Sequence, residues 1–239
     1  MNLIVDCGNT NLKYFIFHEQ NLLFKNSFKW EDEWVLKIKR KFPDFKNILL
    51  CDVTGKYFKD DLEKKIPNKN IFEVKDLDLP FKTKYNFKSL GNDRIGLISA
   101  AINKFPGKDC LVVDAGSCLT FDLVSSQLVH EGGLISPGLL IRLKSLKKYT
   151  SSLPLTKLED VKIEIGKDTK SSIQSGILEG FIFEVNGQIE KFKRKIPNLK
   201  IVLTGGDAKY LYKRIKNSIF AEQDFLASGL NNLLKCNKL

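Results

Sequence analysis

The sequence predicts an α/β protein of two lobes. Three observations support this: a strand–turn–strand motif repeated half a chain apart, a length suited to two small domains, and apolar runs that alternate between strand and helix patterns. The 239 residues exceed the ~100–150 typical of one domain. LIVDCGNTNLKYFIF near the start is echoed by LVVDAGSCLTFDLV, with Asp6 matching Asp114 and Gly8 matching Gly116. In each copy a β-branched run ends in an aspartate, a glycine-containing turn follows, and a second apolar run returns. A hairpin of this kind delivers a carboxylate to its turn. Gly8, Asn9, Thr10 and Ser117 offer backbone and side-chain donors to an anion there.

The remaining elements follow in order. NLLFKNSF supplies a third strand, and EDEWVLKIKRKF reads as an amphipathic helix with Trp34 and Ile38 on one face. NILLCDV is a strand, KYFKDDLEKKI a helix and NIFEV a strand. The second half has LVVDA and LTFDLV as strands, a glycine-rich stretch, and a long helix through SSIQSGILEGFIFEVNGQIEKFKRK. The strand LKIVLT and helices in DAKYLYKRI and FLASGLNNLL complete it. Three strands followed by alternating helices and strands, twice over, is the order of two ribonuclease-H-like (actin-like ATPase) lobes with a cleft between them. Pro106 and Gly107 punctuate the chain, placing the lobes at residues 1–106 and 107–239.

Composition narrows the function. Apolar residues are 43% and charged residues 28%, which excludes a disordered chain. No apolar run approaches the ~18 residues of a membrane span, and Asp6 interrupts any secretory leader. Five scattered cysteines without CxxC spacing argue against a zinc site or a disulfide frame and suit a reducing cytoplasm. The net charge of +11 invites a nucleic-acid reading. However, the excess is even: 19 basic against 14 acidic residues before position 107, and 20 against 14 after it. Only Arg40, Arg94, Arg142, Arg194 and Arg214 could make bidentate contacts to phosphates and bases. Nucleic acid is therefore not the expected partner.

Five ordered motifs carry a specific resemblance. DCGNTNLK (6–13), GNDR (91–94), DAGSCLTFD (114–122), GGLISPGL with its sequel TSSLP, and TGGDA (204–208) together resemble the type III pantothenate kinases. That family lies within the acetate and sugar kinase, Hsp70 and actin superfamily. The resemblance implies ATP-dependent phosphorylation of pantothenate at its 4′-hydroxyl, the first step towards coenzyme A, in a cytoplasmic homodimer. It implies Asp93 as catalytic base, with Gly91, Asn92, Asp93 and Arg94 as the pantothenate cradle, joined by Tyr85 and, across a dimer interface, Thr169. Asp6, Cys7, Gly8, Asn9, Thr10, Asn11, Leu12 and Lys13 would hold the phosphates of ATP, with Ser117, Gly205 and Gly206 completing the nucleotide site. Asp6 would serve magnesium directly or through water, and Asp114 a monovalent cation, potassium or ammonium.

Plain structural readings stand beside these. Asp93 suits a helix N-terminus, Arg94 a surface ion pair, Lys13 a solvent-facing strand and Thr169 a helix N-cap. Departures from the family pattern are Ser117 for threonine, Asn11 for a frequent arginine, and Phe87 in the area of a common proline. Tyr85 precedes Gly91 by six residues where the family usually has seven. His18 and His130 match no catalytic motif and are expected to be structural or exposed. Two alternatives remain open: a regulatory or accessory protein keeping the fold without catalysis, and a related kinase for another alcohol or acid.

Overall fold

A computed structural model describes residues 1–8, 11–28, 34–55, 58–159, 164–212, 214–215, 220–222 and 224–239. The chain divides into two compact units: Met1–Pro106 with Leu128–His130 and Asp224–Leu239, and Gly107–Gln127 with Glu131–Gln223.

Unit 1 opens with β1 (Asn2–Cys7), β2 (Leu12–His18) and β3 (Asn21–Phe28). There follow α1 (Trp34–Lys41), β4 (Asn47–Asp52), α2 (Phe58–Lys65), β5 (Asn70–Glu73), the short β6 (Lys82–Thr83) and α3 (Asn92–Lys104). The sheet order is β3-β2-β1-β4-β5, antiparallel through the first hairpins and parallel from β1 to β5. Alternation along β1 sends Leu3, Val5 and Cys7 into a core with Val35, Ile38 and Leu62 of α1 and α2. Asp6 therefore lies on the opposite face of the strand. The parallel strands β1, β4 and β5 each begin with asparagine, and these side chains form a ladder: Asn70 donates to Asn47 at 3.0 Å and Asn47 to Asn2 at 3.2 Å.

Unit 2 contains β7 (Cys110–Ala115), β8 (Cys118–Val124), β9 (Val129–Pro137), α4 (Leu139–Tyr149), α5 (Thr169–Lys195), β10 (Lys200–Thr204) and β11 (Phe220–Ala221). Read from β9, its sheet runs β9-β8-β7-β10-β11, the same succession as β3-β2-β1-β4-β5. The sequence repeat is thus a repeat of topology. Phe121, Phe181, Val185 and Ile201 anchor its core. The first residues of β9, Val129 and His130, belong to unit 1, where they pair with Lys82 and Thr83 of β6.

Several outcomes differ from expectation. The chain changes unit at Pro106–Gly107, and α6 (Phe225–Cys236) returns to unit 1. The physical reason is close helix packing: a side chain on Gly229 would collide with the Gly96 carbonyl of α3. Asn232 Nδ2 also donates to Ser99 Oγ at 3.1 Å, and Asn2 Nδ2 to Asn231 Oδ1 at 3.1 Å. The glycine-rich stretch is the strand β9, followed by the unanticipated helix α4. Among the described residues of DAKYLYKRI, a 3₁₀ turn over Gly206–Tyr210 replaces the expected helix. The N-cap of α5 is Asp168, whose carboxylate accepts from Ser171 N–H at 2.8 Å, so Thr169 is the first helical residue. Among the described residues no helix is long and apolar enough to cross a membrane.

Candidate active site

The chemistry of unit 1 gathers where the β1–β2 turn meets the N-terminus of α3. Register pairs Asp6 with Lys13, and Lys13 Nζ lies 3.9 Å from Asp6 Oδ2. The lysine side chain is 54% exposed and the aspartate 15%, so water screens the cation more than it hydrates the anion. Burial accordingly raises the Asp6 carboxyl from 3.8 to about 6; Lys13 pulls it down and the negative field of Asp93 adds to the rise. Cys7 and Leu12 point into the core, leaving only their backbone for a ligand. Burial, then Asp52 and Asp6, push the Cys7 thiol well up, which removes it as a nucleophile. Asn11 is exposed at the end of the turn. Asn9 and Thr10, expected to bind phosphate, lie outside the described residues.

Gly91 caps α3 without a side chain of its own. A methyl group there would sit 2.5 Å from Asp93 Oδ1, so the glycine leaves room for the carboxylate to fold back over the helix end. Asp93 Oδ1 accepts from the Arg94 backbone N–H at 2.8 Å. The N-terminal end of the helix dipole favours its negative charge. Asn92 Nδ2 donates to the Asp52 carbonyl at 2.9 Å, tying α3 to the end of β4. Its Oδ1 is buried with no hydrogen-bond partner among the described residues. A cavity of about 280 Å³ is walled by Asp52, Lys75, Gly91, Asn92 and Asp93, among others. Arg94 is buried, and its guanidinium carbon lies 4.7 Å from the centre of the Tyr85 ring. The shortened loop thus still brings Tyr85 to the tetrapeptide.

Unit 2 builds a second, tighter constellation. Asp114 is the penultimate residue of β7, two positions before Gly116 of the Gly116–Ser117 turn. Gly205, at φ 95°, presses against Ala115 O and Asp114 Oδ1 where a side chain would collide. Gly138 presses in the same way on the carbonyls of Gly116 and Ser117. Asp207 accepts the N–H of Leu139 at the start of α4, although burial still raises its carboxyl. The Gly116–Ser117 turn, the TGGDA segment and the α4 N-terminus therefore form one packed unit. Sequence reasoning passed over Gly138 and Asp207, although both stand inside quoted motifs. Ser117 and Thr169 are exposed, and nothing described draws Thr169 to either constellation.

The donor chemistry fits the implied cations. Asp6 offers a carboxylate faced at 3.9 Å by a half-exposed Lys13, and its electrostatics register Asp93 nearby. A magnesium ion needs only one or two carboxylates besides phosphate oxygens and water. Asp114 is a carboxylate, an oxygen donor of the kind alkali cations take.

A family model described as type III pantothenate kinase matches residues 2–191. A type III pantothenate kinase of Christiangramia forsetii is 42% identical, over 100% of this chain and 99% of its own. Among solved structures, a Campylobacter jejuni protein assigned to a Baf family of transcriptional activators superposes with TM-score 0.62 at 23% identity, covering 99% of this chain and 98% of its own. A Sinorhizobium meliloti protein assigned as a 2-dehydro-3-deoxygalactonokinase gives TM-score 0.64 at 11% identity, covering 99% of both chains. These two likenesses show a shared two-lobed α/β fold. Because the family model spans both hairpins and the Gly91–Arg94 corner between them, the chain belongs to the type III pantothenate kinase family.

Proposed function

We propose that this protein transfers the γ-phosphoryl group of ATP to the 4′-hydroxyl of pantothenate, yielding ADP and 4′-phosphopantothenate, the first step of coenzyme A synthesis. The observation that carries the reading is the Gly91–Arg94 corner at the N-terminus of α3, where Asp93 borders the cavity and Arg94 stacks on Tyr85, in a chain whose residues 2–191 match the family.

Phosphoryl transfer asks a protein mainly for alignment and charge neutralisation. Asp93 orients the attacking hydroxyl and takes its proton as the new P–O bond forms. It needs no raised pKa, because the alcohol becomes acidic only along that path. Arg94 and Tyr85 receive the far end of pantothenate, the guanidinium fork suiting its carboxylate. The unpartnered Asn92 Oδ1 accepts a donor of the same substrate. The β1–β2 turn, from Asp6 to Lys13, handles the ATP phosphates, with Lys13 as a point charge. Ser117, Gly205 and Gly206 serve the nucleotide. A divalent cation held through Asp6 supplies neutralisation of phosphate charge, and a monovalent cation belongs at Asp114.

The protein acts as a homodimer in this reading, with Thr169 reaching the partner's pantothenate. Unit 2 supports this by leaving large apolar side chains exposed on both long helices, including Leu140, Ile141 and Phe183, the last 70% exposed.

The test combines purified protein, ATP, magnesium and pantothenate, with potassium, ammonium and sodium compared in parallel. Mass detection of 4′-phosphopantothenate is the expected result, and no product under any cation overturns the reading. Asp93→Ala should lower kcat by about a hundredfold or more while ATP binding persists. An unimpaired variant removes Asp93 from the mechanism.

A further inference from the structure

The substrate tetrapeptide has a support that no motif announces. His130 is completely buried, at 0% exposure. It sits in the two-residue ladder that joins Val129–His130 to β6. The ladder is closed by Lys82 N–H to Leu128 O and Lys84 N–H to His130 O, both at 2.9 Å. Its register sets His130 beside Thr83, and His130 Nδ1 lies 2.9 Å from Thr83 Oγ1. The same hydroxyl accepts the backbone N–H of Tyr85 at 3.0 Å. A hydroxyl has one proton and two lone pairs, so it satisfies both neighbours in either tautomer of the imidazole. The Tyr85 ring packs against the imidazole, with centroids 6.0 Å apart and planes tilted by 36°. Arg94 in turn covers the Tyr85 ring. The result is a column within unit 1: Thr83 and His130 at its base, Tyr85 in the middle, Arg94 at the top.

Stacking uses the face of a guanidinium and leaves its N–H edge for in-plane bonding, which is how arginine recognises a carboxylate. The tilt of the Tyr85 ring therefore sets the plane in which Arg94 can offer its fork. That tilt is held from below by a fully buried ring and a hydroxyl bridge. We propose that His130 and Thr83 are positioning residues for the carboxylate end of the acceptor substrate, acting through Tyr85 on the orientation of Arg94. The inference rests on the pantothenate reading of the site and explains why a histidine outside every motif is enclosed beside it.

The experiment measures steady-state kinetics of the full-length protein with pantothenate and with pantothenyl alcohol, the analogue in which CH₂OH replaces the carboxylate. The wild type should prefer pantothenate by about tenfold or more in kcat/KM, the contribution of a charge-assisted pair. His130→Ala and Thr83→Val should each raise the pantothenate KM several-fold. The KM for ATP and the kcat/KM for the alcohol should stay within about twofold, so that the preference collapses. His130→Phe, which keeps a ring but loses the hydroxyl bridge, should fall between wild type and His130→Ala. Should His130→Ala fail to fold, the half-buried and nearly isosteric Thr83→Val decides the matter alone. Equal losses for both substrates, or an unchanged preference, overturn the positioning role. A wild type that phosphorylates neither compound overturns the pantothenate reading, a result distinct from an active wild type whose variants are unaltered.

Discussion

The two hairpins that open the two units share a topology but differ in what constrains them. In the first, a methyl group added to Gly8 would meet, among the described residues, only the Asn11 carbonyl, at 3.2 Å. The tension there is electrostatic, because Asp6 is buried in the field of Asp93 with a single screened lysine opposite. In the second, the carbonyls of Ala115, Gly116 and Ser117 are closely approached by Gly205 and Gly138. Duplication supplied one scaffold twice; divergence left one copy with concentrated negative charge and the other with a steric lock. The charged turn suits a place where phosphates and cations come and go. The locked turn suits a rigid nucleotide seat.

The largest expected effect tests the lock. Gly205→Ala places a side chain at φ 95° and against backbone atoms that cannot swing aside. Strain and overpacking together should cost about 3–5 kcal/mol of stability. Thermal unfolding should show a large fall in Tm, and any folded fraction should bind ATP poorly. A variant with near-native Tm and ATP KM would mean that the second turn is not locked.

Next comes the charge of the first turn. The Asp6 carboxyl is raised from 3.8 to about 6, so the folded state binds its proton more tightly than the unfolded chain. Its contribution to stability is full below pH 3.8 and is lost as pH rises through about 6. At pH 7.5, in chelator, ionised Asp6 should cost about 2–3 kcal/mol. Asp6→Asn should therefore raise the Tm of the metal-free protein at pH 7.5, lose that advantage near pH 3.5, and lower kcat severely. A lower Tm at pH 7.5 would show that Lys13 more than compensates the carboxylate.

Much of this contrast was readable in the chain. Both hairpins were legible because apolar alternation leads to an aspartate and a glycine turn in each copy, and their register pairs Asp6 with Lys13 and Asp114 with Thr120. The lock was not, because it depends on contacts between segments far apart in sequence. GGLISPG has the composition of a loop, yet sheet pairing draws it into β9. DAKYLYKRI has the periodicity of a helix, but Gly205 redirects the backbone and Asp207 is committed to Leu139. The return of α6 to unit 1 is written in Gly96 and Gly229, whose meeting no local pattern reveals. His130 was set aside for the same reason: its meaning lies in Thr83 and Tyr85, which the ladder with β6 brings beside it.

A smaller effect separates the Asp93 corner from both turns. Gly91→Ala would bring a methyl group within 2.5 Å of Asp93 Oδ1. The carboxylate is the end of a short side chain and can rotate, so the helix should survive with little loss of stability. Rotation would, however, weaken the bond from Arg94 N–H and move the proton acceptor off its line. A fall in kcat of about tenfold with an unchanged ATP KM is expected, the signature of a lost transition-state contact. Unaltered kcat would show that Asp93 needs no fixed rotamer.

The smallest effect is expected at Gly8, the counterpart of the locked glycines. Gly8 is not among the positive-φ glycines, so alanine meets no backbone penalty there. The contact at 3.2 Å from Asn11 O, the one found among the described residues, asks the turn to give by only a few tenths of an ångström. Gly8→Ala should lower stability by less than about 1 kcal/mol. The methyl group would nevertheless stand on the turn assigned to the phosphates, so the ATP KM should rise a few-fold while the pantothenate KM holds. Comparing Gly8→Ala with Gly205→Ala in one unfolding experiment isolates the steric difference between the hairpins. Equal losses at the two glycines would show that the first turn is as tightly held as the second, and that charge alone distinguishes them.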